Sequence, residues 1–269
     1  MAPSHHVLLI GGHGKVAQLL TPLLLKRSWT VTSLIRTPKQ ALAVKKLGEQ
    51  LSGKLRVRVC SVGDISTQEQ AAEILEDLKP DFVAWAAGAG GKGGPEATYK
   101  VDRDAAINFI NAAASIPSIT RFLLISYNGS RRAGAAWWPS GEWDEYNQGV
   151  SQRIGHDVLA TYYRAKIAAD EALYEASKKS STLVGIDLRP GVLTEEPVGR
   201  IELGKTKHVK GNVSRATVAA AADALLAADG VRSGWIDVLD GEEDLDAAVA
   251  RVVREGVDSA EGEAIYSKK

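Results

Sequence analysis

The segment LATYYRAKIAAD, residues 159–170, sets Tyr162 four residues before Lys166. On a helix, positions four apart share a face, so this phenol and this ammonium are neighbours. A cation beside a phenol favours phenolate and lowers its pKa, which suits an acid-base group working near neutral pH. Tyr163 falls on another stripe, with Leu159 four before it and Ile167 four after. That stripe is apolar and reads as core-facing. Tyr162 is therefore the chemical candidate and Tyr163 the structural aromatic. A plainer reading stands beside this one. Lys166 also lies four before Asp170, the spacing of a solvated ion pair worth about a few tenths of a kcal/mol.

A second motif decides between the two. VLLIGGHGKVAQLL places Gly11, Gly12 and Gly14 between an apolar run and a helical pattern. As the first turn of a βαβ unit, it presents backbone N–H groups and a helix N-terminus to a pyrophosphate. Gly11 permits the tight turn, Gly14 the close approach of phosphate, and Ala17 is small enough for helix to pack on strand. His13, Lys15 and Val16 complete the turn, with Lys15 an extra cation beside phosphate and His13 a solvated loop residue. The strand TVTSLI ends in Arg36, and no carboxylate follows until Glu49. A guanidinium there suits a 2′-phosphate, whereas a carboxylate would hold ribose hydroxyls. NADP is therefore preferred to NAD. In SVGDI, Asp64, followed by Ile65, is placed to accept from an adenine amino group. Its alternative duty is to cap the helix that begins in DISTQEQ.

These residues need a frame to hold them. Apolar runs at 6–10, 30–36, 55–62, 81–88, 121–126, 182–190 and 234–240 read as strands, and helical patterns separate them. Nearly unbroken apolar strands are buried on both faces, so the sheet should be parallel with helices on both sides. Right-handed crossovers then give a Rossmann-type doubly wound α/β sandwich of three layers. The chain reads as a single domain, 1–269, with a small C-terminal substrate-side region. Residues 127–156 break the alternation and read as an insertion over the active-site end, and 191–215 as a substrate-side loop. In the insertion, Trp137, Trp138, Trp143 and Tyr146 form either a wall for a planar or apolar substrate or the packing that fixes the insertion. Arg189, polar at a strand end, orients an acid or braces its loop.

The bulk properties narrow the field. Of 269 residues, 45% are hydrophobic and 25% charged, as in a globular protein with a real core. Lys+Arg and Asp+Glu are 33 each, which argues against a phosphate-tracking nucleic-acid binder. One cysteine, Cys60, allows neither an internal disulfide nor a multi-cysteine zinc site, so no metal is expected. HVLLI reads as a buried strand rather than a signal sequence, and no run reaches the length of a membrane span. A cytoplasmic location follows by default. The expected partner is a small-molecule substrate, for a monomer or homodimer.

Together GGHGKVA, GDI, AWAAGAG, LLIS, YYRAK and LRPGVLT resemble the short-chain dehydrogenase/reductase family, in its atypical single-domain NAD(P)-binding members. The resemblance covers nearly the whole chain. It implies that Ala86, Ala87 and Gly88 line the nicotinamide ribose side, and that Pro190, Val192 and Leu193 pass beside the nicotinamide. It implies that Lys166 holds that ribose and lowers the Tyr162 pKa, while Tyr162 protonates a substrate carbonyl as hydride arrives. The family's third catalytic group is a hydroxyl near the end of strand five. Here the strand reads LLISYNGS: Ser126 holds the first place and Tyr127 stands where the second hydroxyl belongs. Ser126, Tyr127 or Asn128 is left to meet the substrate. The reading is an NADPH-dependent reductase of a small carbonyl compound. The alternatives are a non-catalytic NADP(H)-binding regulatory protein and, more weakly, an isomerase or epimerase with transient cofactor use.

Overall fold

The apolar runs become β1 (His6–Ile10), β2 (Thr30–Ile35), β3 (Lys54–Val59), β4 (Phe82–Trp85), β5 (Arg121–Ile125) and β6 (Val184–Pro190). Three short strands follow, β7 (Val192–Thr194), β8 (Ile201–Gly204) and β9 (Asn212–Ser214), and then β10 (Gly234–Asp240). The helices are α1 (Lys15–Lys26), α2 (Ala41–Lys46), α3 (Gln68–Leu78), α4 (Gly94–Thr98), α5 (Ala106–Ser115), α6 (Glu142–Ile154), α7 (His156–Lys179), α8 (Arg215–Ala227), α9 (Leu245–Glu255) and α10 (Ala264–Ser267). A computed structural model describes residues 4–90 and 93–267.

The main sheet runs β3-β2-β1-β4-β5-β6-β10-β8. Every pairing in it is parallel except β10 with β8. β1 pairs with β2 on one side and β4 on the other, so the winding reverses there and a crevice opens beyond its carboxyl end. Alternation along β1 shows both faces are covered. Val7 and Leu9 join a core with α1, α8 and α9, while Leu8 and Ile10 join one with α3, α5 and α7. The three-layer doubly wound sandwich read from the sequence is the fold.

Four departures have physical causes. The antiparallel edge strand β8 was not expected; its few residues, IELG, leave too short a run to read. β3 is an edge strand and largely exposed, and Lys54, Arg56 and Arg58 on it discourage pairing with another chain. The strands expected over 55–62 and 81–88 end at Val59 and Trp85. Their last residues leave the ladder to form the rim of the crevice. Residues 127–156, read as a plain insertion, contain α6 and a small apolar cluster of their own.

Candidate cofactor and substrate site

The turn between β1 and α1 is shaped by contact with its neighbours. The N–H groups of Gly11 and Gly12 both donate to Leu34 O, at 3.1 and 2.9 Å. Gly11 has φ +83°, and a Cβ there would lie 2.6 Å from Ala87 N and Cα. A Cβ on Gly12 would lie 1.7 Å from Ser33 Oγ. Ser33 is fully buried and its hydroxyl has no partner among the described residues. Gly14 precedes α1 and gives it no side-chain cap, so the first-turn N–H groups, from Lys15 and Val16 onward, await acceptors from outside the helix. His13 is half-buried, with its carbonyl taken by Gln18 Nε2 at 2.7 Å. A glycine cradle, an uncapped helix start and an orphaned buried hydroxyl together fit a dinucleotide phosphate.

The flanking residues follow the same rim. Arg36 is exposed just beyond β2, and no ion pair engages it among the described residues. Asp64 is exposed as well. The capping duty considered for Asp64 belongs to Thr67, whose hydroxyl accepts from Gln70 N in a full capping box. Among the described residues, no hydrogen bond or ion pair engages the Asp64 carboxylate. Ile65 is half-buried beside it. Ala86 N–H donates to Ile10 O at 2.9 Å, and Ala87 O accepts from Trp85 Nε1 at 3.0 Å. Pro190 ends β6, while Val192 and Leu193 open β7, which pairs with β9. Glu195, just past β7, reaches back to Lys15 at 2.6 Å and also takes Arg215 at 2.9 Å.

Tyr162 and Lys166 lie on α7 where β4 and β5 end. Lys166 is buried, and its Nζ donates to Ile125 O at 3.0 Å. The Tyr162 hydroxyl has no protein hydrogen-bond partner among the described residues. The expected lowering of its pKa is reversed: burial, then the charges of Asp102 and Asp170, push the phenol up. The charge of Lys166 acts instead on Asp102, Asp170 and Asp187. Asp102 was missed by sequence reading. It sits in a π-helical segment, Tyr99–Ala105, an arrangement frequent at functional sites. Its Oδ2 accepts from Ala89 N–H at 2.9 Å, and its Oδ1 lies 3.0 Å from where a Gly88 Cβ would be. Burial raises the Asp102 carboxyl against the pull of Lys166.

The hydroxyl of Ser126 is turned away from the crevice. It donates to Asp170 Oδ1 at 2.6 Å, while Ser130 Oγ and Arg189 Nη1 take Oδ2 at 3.0 and 2.6 Å. Asp170 is thus half of no solvated surface pair. It belongs to a buried cluster in which Arg189 also meets Asp187 and Asp237, and Arg131 meets Asp237 and Glu263. Arg189 braces its loop, donating to Asn128 O and Ser130 O and lying 3.9 Å over Trp235. Asp187 and Asp237 interrupt otherwise apolar central strands, GIDLRP and WIDVLD. A carboxylate in a strand covered on both faces must have a buried partner, so the sequence did carry a signal for this cluster.

The insertion is packed by its aromatics. Trp137 and Trp138 both donate to Thr206 O, at 2.9 and 2.8 Å, and both lie against the Arg131 guanidinium. Trp143 packs edge-on to Tyr163, whose oxygen accepts from Arg131 N–H at 3.3 Å. Asn128 is fully buried, its Nδ2 on Val209 O at 2.8 Å. Of the residues proposed to meet substrate, Tyr127 is the one brought to Tyr162, with ring centroids 6.0 Å apart.

With this geometry in place, the comparisons are direct. The family model for NAD(P)H-binding proteins matches residues 11–229. The chain belongs to this NAD(P)H-binding family. The matched span begins in the glycine turn and runs through α8. A UPF0659 protein of Schizosaccharomyces pombe is 34% identical over 198 residues, 73% of this chain and 74% of that one. A protein of Bacillus subtilis named as an uncharacterized sugar epimerase is 27% identical over 249 residues, 91% of this chain and 99% of that one. The solved structure of a putative NAD-dependent epimerase/dehydratase from Bacillus halodurans superposes with a TM-score of 0.70 at 22% identity, covering 92% of this chain and 100% of that one. The resemblance read from the motifs and the doubly wound fold both stand. Among the described residues, no helix is long and apolar enough to cross a membrane.

Proposed function

We propose that this NAD(P)H-binding chain is an NADPH-dependent reductase of a small carbonyl compound. The observation that carries the reading is the unpartnered Tyr162 hydroxyl, set between Asp102 and Tyr127 beside the glycine-built crevice. A phenol raised above its usual pKa keeps its proton through neutral pH, so Tyr162 meets a carbonyl oxygen as donor and not as base. The bound nicotinamide supplies the hydride. Gly11, Gly12, Gly14, Lys15 and Val16 hold the phosphates, with His13 in the same turn. Asp64 and Ile65 meet the adenine, Ala86, Ala87 and Gly88 the nicotinamide ribose side, and Pro190, Val192 and Leu193 the nicotinamide. Arg36, exposed and in no ion pair among the described residues, meets the 2′-phosphate and favours NADP over NAD. Lys166, fixed on Ile125 O, holds the nicotinamide ribose.

The test is NADPH oxidation against a panel of small aldehydes and ketones, with Tyr162→Phe as the variant. Loss of a proton donor should cost about 10²–10⁴-fold in turnover with the fold intact. Turnover unchanged in Tyr162→Phe removes Tyr162 from the mechanism. A second reading, an epimerase using the cofactor transiently, draws on the Bacillus subtilis relative's name. It separates cleanly, because an epimerase consumes no NADPH per turnover.

A further inference from the structure

The donors at the substrate end can be counted one by one. The family pattern places a hydroxyl donor at the end of β5. Ser126 cannot serve while its proton is held by Asp170 at 2.6 Å. Asn128 is fully buried, its Nδ2 donating to Val209 O. Tyr127 stands next in line, but its hydroxyl donates to Tyr146 Oη at 2.8 Å. That orientation is built in: a Cβ on Gly129 would lie 2.6 Å from the Tyr127 oxygen, so only glycine lets the phenol fold back over its own loop. A hydroxyl both accepts and donates. Tyr146 accepts from Tyr127, and its own proton has no protein acceptor among the described residues. Tyr146 comes from α6, inside the insertion, and its side chain is 8% exposed. The Tyr127 ring stands beside both phenols, its centroid 6.4 Å from that of Tyr146 and 6.0 Å from that of Tyr162. Of the insertion's tryptophans, Trp137 and Trp138 are both bonded to Thr206 O, and Trp143, its buried Nε1 unpartnered among the described residues, packs on Tyr163 rather than on Tyr127 or Tyr162.

We infer that Tyr146 supplies the second hydrogen-bond donor to the substrate oxygen, opposite Tyr162, and that Tyr127 orients it. The inference rests on the reductase reading for its substrate class, an uncharged carbonyl compound. The insertion thereby completes the site with a phenol in place of the displaced serine. Accepting a hydrogen bond strengthens a hydroxyl as donor, so Tyr127 acts through Tyr146 and is a positioning residue. No bond is made or broken at Tyr146; it holds the oxygen that Tyr162 protonates.

The test is binding without turnover. Benzaldehyde, acetophenone and cyclohexanone are titrated by calorimetry into the protein saturated with NADP+, which has no hydride to give. Tyr146→Phe should weaken the tightest of the three about tenfold while leaving NADP+ affinity unchanged. Tyr127→Phe should weaken it two- to threefold by the same logic, and the double variant should match Tyr146→Phe alone. Equal affinity in wild type and Tyr146→Phe, including failure of all three compounds to bind, overturns the inference. Losses that multiply in the double variant overturn the positioning role of Tyr127. Should Tyr146→Phe not fold, Tyr127→Phe alone decides, since an unchanged affinity there is the overturning result. The reductase reading fails separately, through Tyr162→Phe retaining NADPH oxidation.

Discussion

The two ends of the crevice are built of different material. The proposed cofactor end is backbone: glycines pressed on β2 and β4, a helix start without a cap, and exposed charges such as Arg36 and Lys15. The proposed substrate end is side chain: Ser126, Asn128, Arg131, Asp170 and Arg189 are all buried and all bonded. Backbone recognition needs space and the right φ, and so it is written in glycines a few residues apart. Side-chain recognition needs long-range partners, and here they come from β6, β10, α7 and the C-terminal segment. A change at the first end should act on binding. A change at the second should act first on folding.

The sharpest break in this contrast is Arg189→Ala. It would leave Asp170 buried without its cation and Asp237 with Arg131 alone, a loss of about 3–5 kcal/mol. Urea unfolding should show it, and a loss under about 1 kcal/mol would mean the cluster is hydrated or already neutral. Next comes Gly11→Ala. The left-handed φ costs about 1–2 kcal/mol, and the new methyl meets backbone of Ala87 at 2.6 Å. Unlike Arg189→Ala, it should abolish NADPH binding under conditions where the protein still folds. Titration with the cofactor checks this, and wild-type affinity would refute the cradle.

Arg36→Ala is smaller and confined to the cofactor end. NADPH affinity should fall about tenfold with NADH affinity unchanged, because only the 2′-phosphate loses a charged partner. Equal losses for both would show that Arg36 does not read that phosphate.

The smallest effect is expected at Asp187. Burial and the charge of Asp170 hold its carboxyl well above the usual range. The folded protein thus keeps a proton that the unfolded chain gives up near the ordinary aspartate value. Stability from this group is full below that value and is lost as pH rises through the raised folded pKa. Asp187→Asn should remove that decline and leave stability near neutral pH within about 1 kcal/mol of wild type. Thermal melting across mildly acid to mildly basic buffers compares the slopes. A steeper fall in the variant would contradict a protonated Asp187.

The sequence alone determined the doubly wound, mostly parallel sheet and the glycine turn after its first strand, because those depend on local facts: apolar runs, turn glycines and helical spacing. It also separated Tyr162 from Tyr163, since helix geometry is fixed at 3.6 residues per turn. The tertiary structure decided the fate of each polar proton. Nothing local to LLISYNGS says that Ser126 faces Asp170 forty-four positions away, or that Tyr127 meets Tyr146 from the insertion. Nor does YYRAK say that Asp102 and Asp170 raise Tyr162 where the lysine was expected to lower it. Hydrogen bonds and pKa values are set by whichever groups folding brings within a few ångströms, and that proximity has no period along the chain.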